Sequence, residues 1–159
     1  MYIRILTVGS VKESFYKDAI AEFKKRLGRY AVLEVVEVKD EKTVEKASDA
    51  IDRKIKEIEG QRLLSRLSDN DFVVALAIEG RKLSSTEFAQ QLANWEVSSG
   101  SRITFIIGGS IGLCEEVIRR ANYLLSFSDM TFPHQLMRVI LCEQIYRSYR
   151  IRNNEPYHK

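Results

Sequence analysis

The sequence predicts an α/β fold: one domain over residues 1–159 whose mainly parallel sheet is flanked by helices. Three features predict it. Short β-branched or wholly apolar runs alternate with amphipathic stretches along the chain, the order expected of strands joined by crossover helices. Two prolines, Pro133 and Pro156, and the lack of a Gly/Ser-rich linker or internal repeat leave no domain boundary. A chain of 159 residues is long enough for one sizeable core.

Each element has its own signal. Residues 2–8 make a first strand. A helix is expected over 12–27, because Phe15, Ala19, Phe23 and Leu27 recur at a spacing of four. Residues 31–38, Ala-Val-Leu-Glu-Val-Val-Glu-Val, are rich in β-branched side chains and make a second strand. A charged helix follows over about 43–66, with Ala47, Ile51, Ile55 and Ile58 as its apolar stripe and Gly60 a weak point near its end. Asp71–Ile78 is nearly all apolar, as expected of a strand covered on both faces. Ser84-Ser85-Thr86-Glu87 matches a capping box and opens a helix over about 85–97. Arg102–Ile107 is another buried strand, 113–121 a short helix and Leu124–Phe127 a last strand. Pro133 opens a final helix to about Tyr149, since proline is well tolerated in a first turn.

Composition excludes several classes. Hydrophobic residues at 45% and charged residues at 30% match soluble globular chains rather than disordered ones. No run approaches the roughly 18 apolar residues a membrane helix needs, so no membrane partner is expected. The N-terminus lacks a basic segment followed by a long apolar one, so it reads as a strand and not a signal peptide. Cys114 and Cys142 lie in apolar helical patterns with no Cys-x-x-Cys or Cys/His pairing. Two free thiols suit a cytoplasmic protein, and no metal is expected. The net charge of +3 is small, but residues 138–159 account for all of it. Arg138, Arg147, Arg150, Arg152 and Lys159 face only Glu143 and Glu155 there. Such an end is either a solvated tail or a phosphate-contacting one.

In open parallel sheets, ligands sit beyond the carboxyl ends of the strands. Three turns meet that condition: Glu79-Gly80, Gly108-Gly109-Ser110-Ile111-Gly112 and Ser128-Asp129-Met130-Thr131-Phe132. The second allows a sharp turn and close approach of a ligand to the backbone, with a helix following. It is not the Gly-x-Gly-x-x-Gly fingerprint, because Ser110 breaks it, nor a P-loop, because no Gly-Lys-Ser/Thr follows. Taken alone it makes either a ligand-free turn or a nucleotide-like pocket. In the third turn Phe127, Met130 and Phe132 either plug the core or wrap an adenine ring and a methionine tail.

Phe105-Ile106-Ile107-Gly108-Gly109-Ser110-Ile111-Gly112 is followed by Leu125-Ser126-Phe127-Ser128-Asp129-Met130-Thr131-Phe132-Pro133-His134-Gln135-Leu136-Met137-Arg138. Then come Leu141-Cys142-Glu143-Gln144-Ile145-Tyr146-Arg147 and a tail ending Glu155-Pro156-Tyr157-His158-Lys159. Over close to the full chain this succession resembles the RlmH family (ribosomal RNA large subunit methyltransferase H). Its most specific parts are the Ser-x-Met-Thr-x-Pro-His-Gln-Leu stretch and the Pro-Tyr-His tail. The resemblance implies the SPOUT α/β fold with a C-terminal trefoil knot, a rare exception to chain topology. It implies S-adenosylmethionine as cofactor, contacted by Leu76, Gly108, Phe127, Ser128, Asp129, Met130, Thr131 and Phe132. It implies as substrate a pseudouridine of large-subunit (23S) rRNA, methylated at ring nitrogen N3.

A methyl on sulfonium is already electrophilic, so alignment supplies much of the acceleration. The N3–H of pseudouridine is a weakly acidic imide. A general base within reach, or a cation beside the developing anion, helps. The candidates cluster at the C-terminus: His158 to take the proton, Tyr157 to stack on or hydrogen-bond the base, and Arg152, with Arg138 and Arg150, to hold phosphate or the imide anion. His134 reads as a helix-start hydrogen-bonder, and Glu143 and Arg147 as an i, i+4 pair. The last helix is apolar at nearly every angle (Leu136, Met137, Val139, Ile140, Leu141, Ile145, Tyr146, Tyr149), so part of it is expected to meet a second copy. A two-fold homodimer is the default, each tail completing the partner's site. With so little net charge, isolated RNA is expected to bind poorly and the assembled ribosome to be the substrate. A non-catalytic RNA-binding protein and a nicotinamide or flavin oxidoreductase, in which Asp129 mimics a ribose-binding acid, are the rivals. Calorimetry separates them: heat is expected with S-adenosylmethionine and none with NAD or FMN.

Overall fold

The computed structural model of the protein describes residues 1–100 and 102–159. Its elements are β1 (Tyr2–Val8), α1 (Ser14–Leu27), β2 (Val32–Val38), α2 (Asp49–Leu64), β3 (Phe72–Lys82), α3 (Ser85–Ser99), β4 (Arg102–Ile107), α4 (Glu115–Arg120), β5 (Tyr123–Ser126) and α5 (His134–Arg152). The five strands form one sheet in the order β2-β1-β4-β3-β5, and every neighbouring pair is parallel. Parallel neighbours need crossover connections, so helices cover both faces.

Alternation along the strands sorts the core into two layers. Ile3, Ile5, Val74, Ile103, Phe105 and Leu125 point to the face carrying Phe88, Leu92 and Trp95 of α3 and Leu141 and Ile145 of α5. Leu6, Val8, Val73, Ala75 and Ile106 point to the other face, against Leu63 of α2 and Val117 of α4.

The predicted elements all form, with informative differences. The charged helix starts at Asp49 rather than near 43, because the Ser48 Oγ accepts the Ile51 amide (3.3 Å) and Asp49 and Asp52 occupy the first turn. Its buried stripe is Ile55, Glu59 and Leu63; Ile51 is exposed. Gly60 is no weak point: a Cβ there would overlap the Cys114 sulfur, so glycine lets α2 close onto the start of α4. β3 does not stop at Ile78. It leaves the ladder after Leu76, bulges, and rejoins with Arg81 and Lys82 opposite Leu125 and Ser126. A Cβ on Gly80 would lie 2.7 Å from the Leu124 backbone, so the bulge requires glycine. The capping box forms as expected, Ser84 Oγ accepting from the Glu87 amide at 3.1 Å and Glu87 Oε2 from the Ser84 amide at 2.7 Å. α5 runs past Tyr149 to Arg152.

Arg138 overturns an expectation. It is not at a phosphate-contacting surface but wholly buried. Its Nη1 donates to Glu37 Oε2 (3.0 Å), and its Nη2 donates to the carbonyls of Val8 and Gly9 (2.9 Å each). Glu37 Oε2 also accepts the Val11 amide at 2.9 Å. The guanidinium thus pins α5 to the carboxyl ends of β1 and β2. Arg138→Met keeps the volume and removes three bonds, leaving two buried carbonyls without their donor. It is expected to cost about 2–4 kcal/mol, read as a lower urea midpoint at unchanged slope; an unaltered midpoint would refute the anchoring role.

Candidate cofactor cleft

Strands β4, β3 and β5 are neighbours, so the turns after them lie side by side at the carboxyl edge. They surround a cleft of about 840 Å³, within the range of small-molecule sites. Leu76–Glu79, Ile107–Leu113 and Leu125–Ser128 line it, with Met130–Met137 leading into α5 and Lys56 and Ile118 on the α2–α4 side. Of the residues expected to hold cofactor, Leu76, Gly108, Phe127, Ser128, Met130, Thr131 and Phe132 all face this space. Asp129 stands outside the lining and pairs with Lys82 at 2.5 Å, both largely exposed.

The third turn does not plug the cleft. Phe127 is half-buried and leans on Phe88 (centroids 6.5 Å apart), while Met130 is 73% exposed. The turn is shaped by its serines: Ser126 Oγ donates to the Ser128 carbonyl (3.2 Å), and Ser128 Oγ accepts the Met130 amide (3.0 Å). In the glycine run, Gly112 adopts φ +90° and donates its amide to the Gly109 carbonyl at 3.1 Å. A Cβ on Gly108 would sit 3.0 Å from the Leu113 side chain and 3.1 Å from the Gly112 backbone. A methionine nucleoside fits this donor set: apolar walls from Leu76, Ile107, Leu125 and Phe127 for the ring, and turn backbone for its polar edges.

Sequence reasoning missed Glu59. Only 4% exposed, it has Oε2 accepting the Glu41 amide (3.0 Å) and Oε1 without a hydrogen-bond partner. A Cβ on Gly109 would lie 3.1 Å from that free oxygen, so glycine lets the turn settle onto the carboxyl. Glu59 lines a side cleft of about 290 Å³ with Asp40, Glu41 and His134, joined to the larger one across Gly109 and Ser110. Burial pushes the Glu59 carboxyl up; the Glu41 amide pulls it back and Asp40 pushes it up again. Burial, and then Arg138, push the His134 imidazole down, so the histidine at the cleft is neutral near pH 7. The Cys142 thiol is pushed up to about 12 by burial and is no nucleophile.

The C-terminal candidates lie elsewhere. The 19 residues of α5 span roughly 28 Å at about 1.5 Å each, and the helix ends beside Tyr30 and Glu96 at the amino edge of the sheet. Arg152 pairs there with Glu96 (2.7 Å), its guanidinium 4.9 Å from the Tyr149 ring centroid. The Tyr157 hydroxyl donates to Glu143 Oε1 at 3.0 Å, and His158 Nδ1 lies 3.1 Å from Arg147 Nη1. Arg147 pairs with Glu143 at 2.5 Å, as their spacing predicts. Arg150 is turned to the tail itself, pairing with Glu155 and donating to the Pro156 carbonyl (2.8 Å). Burial and then Glu143 push the Tyr157 phenol up, so it stays protonated near neutral pH. One chain therefore gathers the cofactor candidates at one edge and Tyr157, His158 and Arg152 at the other. Among the described residues, no three or more His, Cys, Asp or Glu are grouped to hold a metal ion, and no helix is long and apolar enough to cross a membrane.

A family profile described as "Predicted SPOUT methyltransferase" matches residues 1–158. Ribosomal RNA large subunit methyltransferase H of Bifidobacterium adolescentis is 57% identical over 159 residues, covering all of both chains. Its namesake in Streptococcus pneumoniae is 52% identical over the same full lengths. Among solved structures, a probable methylase family protein from Haemophilus influenzae matches with a TM-score of 0.51 at 15% identity. That match covers 96% of this chain and 66% of the other, a likeness of fold.

Glu59 generates a pH prediction. A carboxyl raised in the folded state contributes stability below its ordinary value of 4.5 and loses that contribution as pH rises through the folded value. Glu59→Gln cannot ionise, so the variant should gain on the wild type as pH rises from about 4 to 8. Urea unfolding across that range reads the difference; parallel curves would show that Glu59 does not titrate there.

Proposed function

The chain belongs to the SPOUT methyltransferase family, in its ribosomal RNA large subunit methyltransferase H group, and we propose that it methylates N3 of a pseudouridine in 23S ribosomal RNA. S-adenosylmethionine is the donor, the assembled ribosome the substrate, and a cytoplasmic homodimer the working form. The trefoil knot and a single methyltransferase domain over 1–159 belong to the same reading. The observation that carries it is the meeting of three post-strand turns on one cleft, in a chain 57% identical at full length to a relative of that name.

When bound, the cofactor supplies an electrophilic methyl on sulfonium. The chain's own residues do the rest. Leu76, Gly108 and the 127–132 turn hold the donor, their apolar side chains keeping water from it. Asp129, at the rim with Lys82, contributes backbone to that turn. The target imide must lose its N3 proton, and Tyr157, His158 and Arg152 are the residues assigned to the base. With Arg147 donating to His158 Nδ1, the neutral ring carries its proton on Nε2 and presents a donor to a base carbonyl. His158 takes the N3 proton itself once Arg147 releases Nδ1. Tyr157 offers a protonated phenol and a ring face, and Arg152 a cation oriented by Glu96.

The tail cannot serve its own cleft from the far end of α5, so a second copy brings its tail across. Apolar groups suited to such a contact are exposed: Phe15 on α1, and Ile78 and Met130 at the cleft rim. Leu136, Val139 and Ile140 of α5 are half-exposed as well.

Two measurements test the reading. Ribosomal RNA nucleosides from cells lacking the protein should show one methylated pseudouridine missing, restored with the gene; an unchanged profile overturns the assignment. Gly108→Val and the double variant Tyr157→Phe/His158→Ala should each lose activity by about 100-fold or more. Mixed dimers of the two should recover one of two sites, about half the wild-type rate; dimers as inactive as their parents would overturn the shared site.

A further inference from the structure

We propose that the last turn of α1, joined to the C-terminal tail, grips the RNA backbone flanking the target nucleotide. This rests on the reading of the protein as an RNA methyltransferase and extends it to a part of the chain that sequence patterns did not single out.

The observation is a pair of cation–tyrosine ladders at the amino edge of the sheet. In one, Arg26 sits 5.9 Å from the Tyr146 ring centroid, Tyr146 meets Tyr157 edge-on at 5.0 Å, and Arg147 lies 4.7 Å from the Tyr157 centroid. In the other, Arg29 lies 5.7 Å from the centroid of Tyr30, and Tyr30 stacks on Tyr149 at 5.3 Å and 6°. Arg152 closes that ladder from the Tyr149 side. Both ladders start on α1's end and finish on α5 or its tail, so these segments form one surface.

Its charge is not self-neutralised. Glu22 pairs with Arg26, Glu143 with Arg147, Glu155 with Arg150 and Glu96 with Arg152. Among the described residues Lys24, Lys25, Arg29 and Lys159 have no carboxylate partner within 4 Å, and all four are exposed. Lys24 and Lys25 also complement the negative end of α1's dipole, but that effect fades beyond the last turn, whereas Arg29 continues the row past it. Cations in excess beside partly exposed aromatic rings suit a polyanion that carries bases. Nucleic acid meets both demands, and an acidic peptide meets only the first. Tyr157 belongs to the ladder and to the residues assigned to the target base, so RNA held along Lys25 and Arg29 leads to that base.

The test uses the full-length enzyme, unmodified ribosomes and the paired variants Lys25→Glu/Arg29→Glu and Lys25→Gln/Arg29→Gln. Ribosome binding is followed by sedimentation and turnover by methyl transfer, each across a salt series. Expected are a KM for ribosomes raised about tenfold or more by the Glu pair and less by the Gln pair, with kcat and S-adenosylmethionine affinity unchanged. The log–log salt slope of binding should flatten by roughly 1.4–1.8 for two lost phosphate contacts. Wild-type KM and slope in the Gln pair would overturn the proposal, whatever the Glu pair does to folding. Sedimentation needs no turnover, so an enzyme that binds ribosomes with the expected slope yet methylates nothing would fail the functional reading and keep this one.

Discussion

A buried guanidinium holds the working edge of this protein in place. Parallel strands present unpaired carbonyls at their carboxyl ends, and a helix returning beneath them must supply donors or leave them dry. Arg138 supplies three bonds from one side chain, to Glu37, Val8 and Gly9. Its planar fork suits this better than a lysine would, because one rigid group reaches two carbonyls and a carboxylate together. Burial pushes its pKa down and Glu37 pushes it back up. Pro133–Met137, the wall where α5 meets the cleft, are placed from this anchor, so the cavity's shape is tied to the sheet rather than to a loose loop.

The strand order then decides what the anchored edge can do. β3 lies between β4 and β5, so turns far apart in sequence become neighbours. Much of this was legible, since β1 and β4 start and end where their apolar runs do and the Ser84–Glu87 box forms. What was not legible had local physical causes. The start of α2 was set by the Ser48 cap, a signal weaker to the eye than the charged run before it. The extension of β3 depends on Gly80 passing the Leu124 backbone, which no periodicity reports.

The site was half legible for a similar reason. Residues on the post-strand turns could be placed because strand ends dictate where turns point. Arg138 was misread because a charge in a sequence carries no mark of burial. Glu59 did leave a mark: it falls on the spacing-of-four row with Ile55 and Leu63, and a carboxylate in such a row signals a buried role. Its free oxygen under Gly109 ties the glycine run to α2, so α2 supports the cleft rather than only covering the sheet.

The length of α5 makes the last step. A helix of 19 residues carries the chain from the carboxyl edge to the amino edge, so residues close in sequence to the cleft wall end up farthest from it in space. At that far end Tyr30, Tyr146, Tyr149 and Tyr157 are interleaved with guanidinium groups and fix the tail against α1. A tail held this firmly does not swing back along its own helix. Bringing donor and acceptor together thus falls to docking two rigid ends of different copies, with the flanking RNA resting on the copy that does not hold its donor. The separation of the edges is then what divides the labour: one end of the sheet shapes a cavity for a small cation, and the other presents rings and positive charge to a long polyanion.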